Sequence, residues 1–135
     1  MNLPSLYRVA GLGAAVFFAA PAAPQGRAET LPVLDRLEAG MWELRGTGNA
    51  RIASICVGDR ARLTQPQHPR LACTRSVIGS DARTLTVRYS CPGVGSGRTE
   101  IRVETPRLAQ IDSQGLDHGT PFALRAEARR IGPCA

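Results

Sequence analysis

The chain of 135 residues contains no lysine, two histidines and only six aromatic residues. Each shortage excludes something. All 17 basic side chains are arginine, and they interleave with the 11 acids, as in Arg98-Thr-Glu100-Ile-Arg102-Val-Glu104. A nucleic-acid footprint needs a stripe of one sign and aromatic stacking residues, so no nucleic-acid partner is expected. There is no Cys-x-x-Cys, and His68 and His118 are not at zinc-finger spacing, so neither a metal site nor any other cofactor is indicated. There is no Gly-x-Ser-x-Gly elbow for a serine nucleophile. No long apolar run follows the N-terminal one, which excludes a polytopic membrane protein. The length allows one domain and leaves no room for a second core.

What is there begins with an export signal. Residues 1–28 read as a secretory signal peptide: Arg8 and the amino terminus supply positive charge, and residues 9–20 form the apolar run. Pro21 and Pro24 then break it ahead of Gly26-Arg27-Ala28. Twelve apolar residues span about 18 Å as a helix, short of a hydrocarbon core of about 30 Å. Cleavage after Ala22 is the alternative boundary, and no cysteine follows closely enough for a lipid anchor. The expected product is residues 29–135, a single periplasmic, monomeric domain with no transmembrane segment. Loss of Arg8 and Arg27 lowers its net charge from +6 to +4.

Cys56, Cys73, Cys91 and Cys134 all lie in that product. An even count in a small exported domain reads as a disulfide framework. Three pairings are possible, and the preferred one is Cys56–Cys73 with Cys91–Cys134. The first would close a Pro-rich excursion and the second would tie down the C-terminus. In the chain-entropy model they contribute about 3 and about 4 kcal/mol.

From Met41 onward the apolar pattern has period two. Strands are expected at residues 41–45, 50–57, 71–78 and 84–91. In the last of these Leu85, Val87, Tyr89 and Cys91 alternate with polar residues. A turn falls at 46–49 and another at 79–82. Residues 58–70 read as a loop with a short helix after Asp59, and residues 92–97 as a link to a strand containing Ile101 and Val103. A short strand follows at 108–112, then a loop at 113–120. The final segment, 122–129, alternates as a strand does, although its Ala, Leu, Arg and Glu also suit a helix. Seven short strands imply a mainly β fold: an antiparallel meander forming a twisted sheet or partly closed small barrel, stapled by disulfides. An outer-membrane barrel fits poorly, for want of aromatic girdles and of length for eight tilted strands.

Gly40-Met41-Trp42-Glu43, Ile55-Cys56-Val57, Tyr89-Ser90-Cys91 and the closing Arg130-Ile131-Gly132-x-Cys134 together resemble the domain-of-unknown-function 3617 family of small exported bacterial proteins. The resemblance covers essentially the whole chain after the signal, with Met41 where an aliphatic residue is usual. It implies an envelope location and a mainly β fold, and it brings no activity, substrate or catalytic residues.

Of the candidate functional residues, Trp42 reads first as core, with a ring N–H that needs an acceptor. Trp42, Val87 and Tyr89 are the candidates for an apolar ligand-binding face. Gly93-Val-Gly-Ser-Gly-Arg98 has the composition of a phosphate loop but joins two strands and lacks the following helix and Walker lysine, so it reads as a hairpin connection. His68 and His118 are expected in exposed loops, with Asp117 and Ser113 as nearby partners. Glu43, Glu100 and Glu104 read as cross-strand ion pairs on a wet face. No catalytic residue is assigned. The expected function is a non-catalytic binding module for a small apolar or amphipathic envelope molecule or a protein partner. The rival is a small periplasmic hydrolase or metal-dependent enzyme using His68 or His118.

Overall fold

The computed structural model describes residues 31–135; the expected signal peptide, residues 1–28, lies outside the described residues. The fold is mainly β, with seven antiparallel strands in one open sheet. They are β1 (Gly40–Arg45), β2 (Arg51–Val57), β3 (Thr74–Ser80), β4 (Thr84–Cys91), β5 (Gly95–Thr105), β6 (Leu108–Asp117) and β7 (Thr120–Gly132). The spatial order is β2-β1-β7-β6-β5-β4-β3. Strands β3 to β7 form the expected meander, while the β1–β2 hairpin returns to pair with β7.

That topology leaves β2 and β3 as opposite edges. The segment joining them, residues 58–73, has to cross the face of the sheet, and it acts as a strap. Its 3₁₀ turn, Arg60–Thr64, starts where the Asp59 carboxylate accepts the Ala61 N–H at 2.9 Å. This short turn packs against both β2 and β5, strands four places apart in the sheet. Four spacings of ~4.8 Å exceed its reach, so the sheet must curl around it.

The concave face is filled. Trp42 and Leu44 of β1, Ile55 and Val57 of β2, Leu85 and Val87 of β4, Ile101 and Val103 of β5, Ala109 and Ile111 of β6, and Ala126 and Ala128 of β7 are all buried. The register aligns them in rows, such as Leu85–Ile101–Ile111–Ala126 and Val103–Ala109–Ala128–Leu44. Leu34 and Leu37, from the 3₁₀ turn Leu34–Arg36 and its cap, and Leu63 of the strap close over them. The Trp42 indole N–H donates to the Glu38 carbonyl at 2.9 Å.

The disulfides correct the expected pairing. Cys56 joins Cys134 and Cys73 joins Cys91. A Cys56–Cys73 bridge would have to link the two opposite edges of an open sheet, whereas bridged Cα atoms lie within ~7 Å of one another. Instead each end of the strap is fastened separately: Cys56 on edge strand β2 to the chain just after β7, and Cys73, at the head of edge strand β3, to the end of β4.

Other boundaries moved for identifiable reasons. Strand β3 starts at Thr74, not residue 71, because Leu71 belongs to the strap, where its carbonyl accepts from the Gln65 side chain at 2.8 Å. Strand β5 starts at Gly95, so the connection after β4 is only Pro92-Gly93-Val94, with Gly93 at φ 75°. Strand β6 runs to Asp117, through five of the eight residues of the expected 113–120 loop. It turns on His118-Gly119, both at positive φ (48° and 79°), as a two-residue hairpin of this type requires. Strand β7 is a strand and not a helix, extending from Thr120 to Gly132. The acid–base pairs run mostly along single strands: Glu43 with Arg45, Glu100 with Arg98 and Glu104 with Arg102. Glu43 also reaches Arg51 of β2 at 3.6 Å and is itself buried, not wet as expected.

Candidate functional site

Along the concave face the lining changes from aliphatic to polar. On β5, Val103 and Ile101 give way to Thr99, Gly97 and Gly95; on β6, Ala109 and Ile111 give way to Ser113, Gly115 and Asp117. The glycines make room for rings. A Cβ on Gly97 would lie 2.7 Å from the Tyr89 ring, and one on Gly95 would lie 3.0 Å from the His68 ring. The Gly-rich stretch is therefore strand, floor to two aromatic side chains.

His68 is buried there, which overturns its expected exposure: the strap carries it onto the sheet. Its Nδ1 lies 3.1 Å from the Tyr89 hydroxyl and its Nε2 3.3 Å from Asp117 Oδ1. Its ring meets Tyr89 and Phe122 edge-on, at centroid distances of 5.7 and 6.1 Å. Ser113 lies near enough to the Tyr89 phenol to lower its titration, against the effect of burial, and shares a hydrogen bond of 2.7 Å with Thr99. Asp117 fixes the direction of this chain. Hydrogen bonds from Gln67 and His118, and then from His68, hold its carboxyl below the usual range, so it is an ionised acceptor. His68 then donates from Nε2, and in the neutral imidazole Nδ1 accepts from Tyr89. Such one-way chains polarise cooperatively. In the hydrogen bond that Thr99 and Ser113 share beside it, either hydroxyl can donate. Burial pushes the Tyr89 phenol up to about 12.

The structure thus brings together Tyr89, His68, Asp117 and Ser113, and His118 joins at the rim. The His118 side chain is 73% exposed, with Nδ1 2.7 Å from Asp117 Oδ1. Both nitrogens of His68 are engaged and Ser113 is fully buried. Trp42 lies in the aliphatic cluster, and Val87, although packed in the same cluster, sits directly opposite Thr99 at the border with the polar group. Among the described residues no cluster of three or more His, Cys, Asp or Glu is placed to hold a metal ion.

A groove lies on the other, convex face. Its volume is 620 Å³, and Arg88, Ser90, Ser96, Arg98, Gln114, Leu116 and Pro121 line it over a floor of Gly97 and Gly115, with Tyr89 and Phe122 at its margin. Arg88 and Arg98 are direct cross-strand neighbours. Arg98 has Glu100 at 3.8 Å, but among the described residues the Arg88 side chain has no acidic or hydrogen-bonding partner. Leu116 is 45% exposed beside them. A second groove of 610 Å³ adjoins at Gln114 and leads to Ala123 and the exposed Ile52. Of the three residues expected to face a ligand, only Tyr89 borders this surface. The arginine pair was not singled out from sequence; its signal was two arginines at matching outward positions on consecutive strands.

Among family models, curated proteins and solved structures, none matches the chain. Among the described residues no helix is long and apolar enough to cross a membrane.

Proposed function

We propose that this chain is an exported, non-catalytic binding module of the bacterial envelope, related to the domain-of-unknown-function 3617 proteins. Its convex groove takes a small amphipathic molecule with an acidic head. The observation that carries the reading is the juxtaposition of Arg88 and Arg98. Like charges directly opposite on neighbouring strands are destabilising, and among the described residues no carboxylate pairs with Arg88. Leu116 and Pro121 offer the apolar part of the ligand a surface next to that pair. A volume of 620 Å³ is in the range of small-molecule sites. Two disulfides suit an oxidising compartment.

The rival reading, a hydrolase or metal-dependent enzyme on His68 or His118, has weaker support: both ring nitrogens of His68 are engaged, and among the described residues the His118 ring is hydrogen-bonded to the Asp117 carboxylate alone. Native mass spectrometry of protein purified gently from its own envelope tests the proposal. The expected result is extra mass that disappears on denaturation, belongs to an acidic amphiphile, and is lost in Arg88→Glu. A bare monomer in both proteins, with no uptake of added fatty acid or lysophospholipid, contradicts it.

A further inference from the structure

The strap carries a second basic cluster, on a different surface from the convex groove and sharing no residue with it. Among the described residues Arg45, Arg51, Arg98, Arg102, Arg107, Arg125, Arg129 and Arg130 each have a carboxylate within reach. The other seven arginines do not, and three of those seven converge. Arg62, Arg70 and Arg75 line one pocket of 250 Å³ between the strap and edge strand β3. None of the three forms an ion pair among the described residues. The side chains of Arg62 and Arg70 make no hydrogen bond there either.

Arg75 is the more telling. Its Nη2 donates to Gln65 Oε1 at 3.1 Å, while its Nε is buried without any acceptor. Buried charged donors are satisfied in native proteins, by protein atoms, water or a bound ion. Gln65 is itself fixed, since its amide donates to the carbonyls of His68 and Leu71, so the Arg75 fork is held in place. The only carboxylate in the pocket is Asp59, which is engaged in capping the strap's 3₁₀ turn. The pocket therefore presents three guanidinium groups against one carboxylate.

We infer that the strap and β3 form a binding site for a doubly charged tetrahedral oxyanion, a phosphate or phosphomonoester group, gripped by Arg62, Arg70 and Arg75. Guanidinium forks match phosphate oxygens bidentately. A phosphomonoester carries close to two negative charges at neutral pH, which matches the excess of three cations over one anion; a single carboxylate would not. The pocket exceeds what one phosphate fills and leaves room for a substituent.

The test is isothermal titration of the oxidised protein at constant ionic strength with inorganic phosphate, with glycerol 3-phosphate and with acetate. Phosphate and the monoester are expected to bind and acetate is not. A tighter monoester identifies an esterified ligand, and tighter inorganic phosphate identifies the free ion. The double variant Arg62→Ala/Arg70→Ala alters only exposed side chains, so it should keep its melting temperature while losing about tenfold or more in affinity. Arg75→Gln should lose as much, and Arg88→Ala should lose nothing. Equal responses to all three anions, or undiminished phosphate binding by the double variant, would overturn the inference.

Discussion

The two ends of the concave face use the same strands and different physics. At one end Trp42, Leu44, Ile101, Ile111 and Ala128 are held by close packing and exclusion of water, with a single hydrogen bond from the Trp42 indole. At the other end Tyr89, His68 and Asp117 are held by a directional hydrogen-bond chain, and Ser113 and Thr99 by a hydrogen bond of their own, over a glycine floor. Each end also has its own staple, Cys56–Cys134 near the first and Cys73–Cys91 near the second. The contrast teaches that a small sheet can bury a polar group on a strap, provided that the strap is fastened where it leaves and where it rejoins the sheet.

The contrast is broken most severely by removing the staple of the aliphatic end. The Cys56–Cys134 bridge spans 78 residues and Cys73–Cys91 spans 18. In the chain-entropy model their loss costs about 4–5 and about 3 kcal/mol respectively. Urea denaturation of the two paired Cys→Ser variants should rank them in that order. Next comes Trp42→Ala, expected to cost about 3–5 kcal/mol because the ring is fully buried in a packed core.

The polar end should respond more mildly. Tyr89→Phe keeps the ring and removes the hydroxyl that engages His68 Nδ1, for about 1–3 kcal/mol by the same denaturation measurement. The pH dependence of stability separates the ends most finely. Asp117 has its carboxyl held below the ordinary 3.8, so the stability it contributes is present above about pH 4 and is lost as pH falls through the folded-state value. The Tyr89 phenol moves the other way. Its folded value of about 12 lies above the ordinary 10, so the unfolded chain ionises first and stability declines from pH 10 towards 12. Thermal melts across that range should show the alkaline decline in the parent chain and a smaller one in Tyr89→Phe. Trp42→Ala should leave it unchanged.

The aliphatic end was legible in the sequence and the polar end was not, and the reason is physical. Leu85, Val87, Ile101 and Val103 alternate with polar neighbours, and that period survives in the structure. Once the buried positions become Thr99, Gly97, Ser113 and Gly115, alternation of hydropathy vanishes while the strands continue. Hence β6 looked five residues shorter than it is, and the glycine stretch looked like a loop. The Asp59 cap and the turn after β1 were local signals and were readable. The burial of His68 and the cysteine pairing depend on which edges the strap connects, a property of strand order that no local pattern carries. Trp42 was readable as core, but the Arg88–Arg98 pair needed the strand register to place its members opposite each other.

The arrangement of the strap is tested most directly by mapping the disulfides in unreduced, trypsin-digested protein. Cleavage after Arg51, Arg60, Arg70, Arg75, Arg88, Arg98 and Arg130 puts the four cysteines on four separate peptides. A strap fastened at each end predicts that the Cys56 peptide is linked to that of Cys134, and the Cys73 peptide to that of Cys91. A peptide linking Cys56 to Cys73 would close the strap on itself and contradict the account.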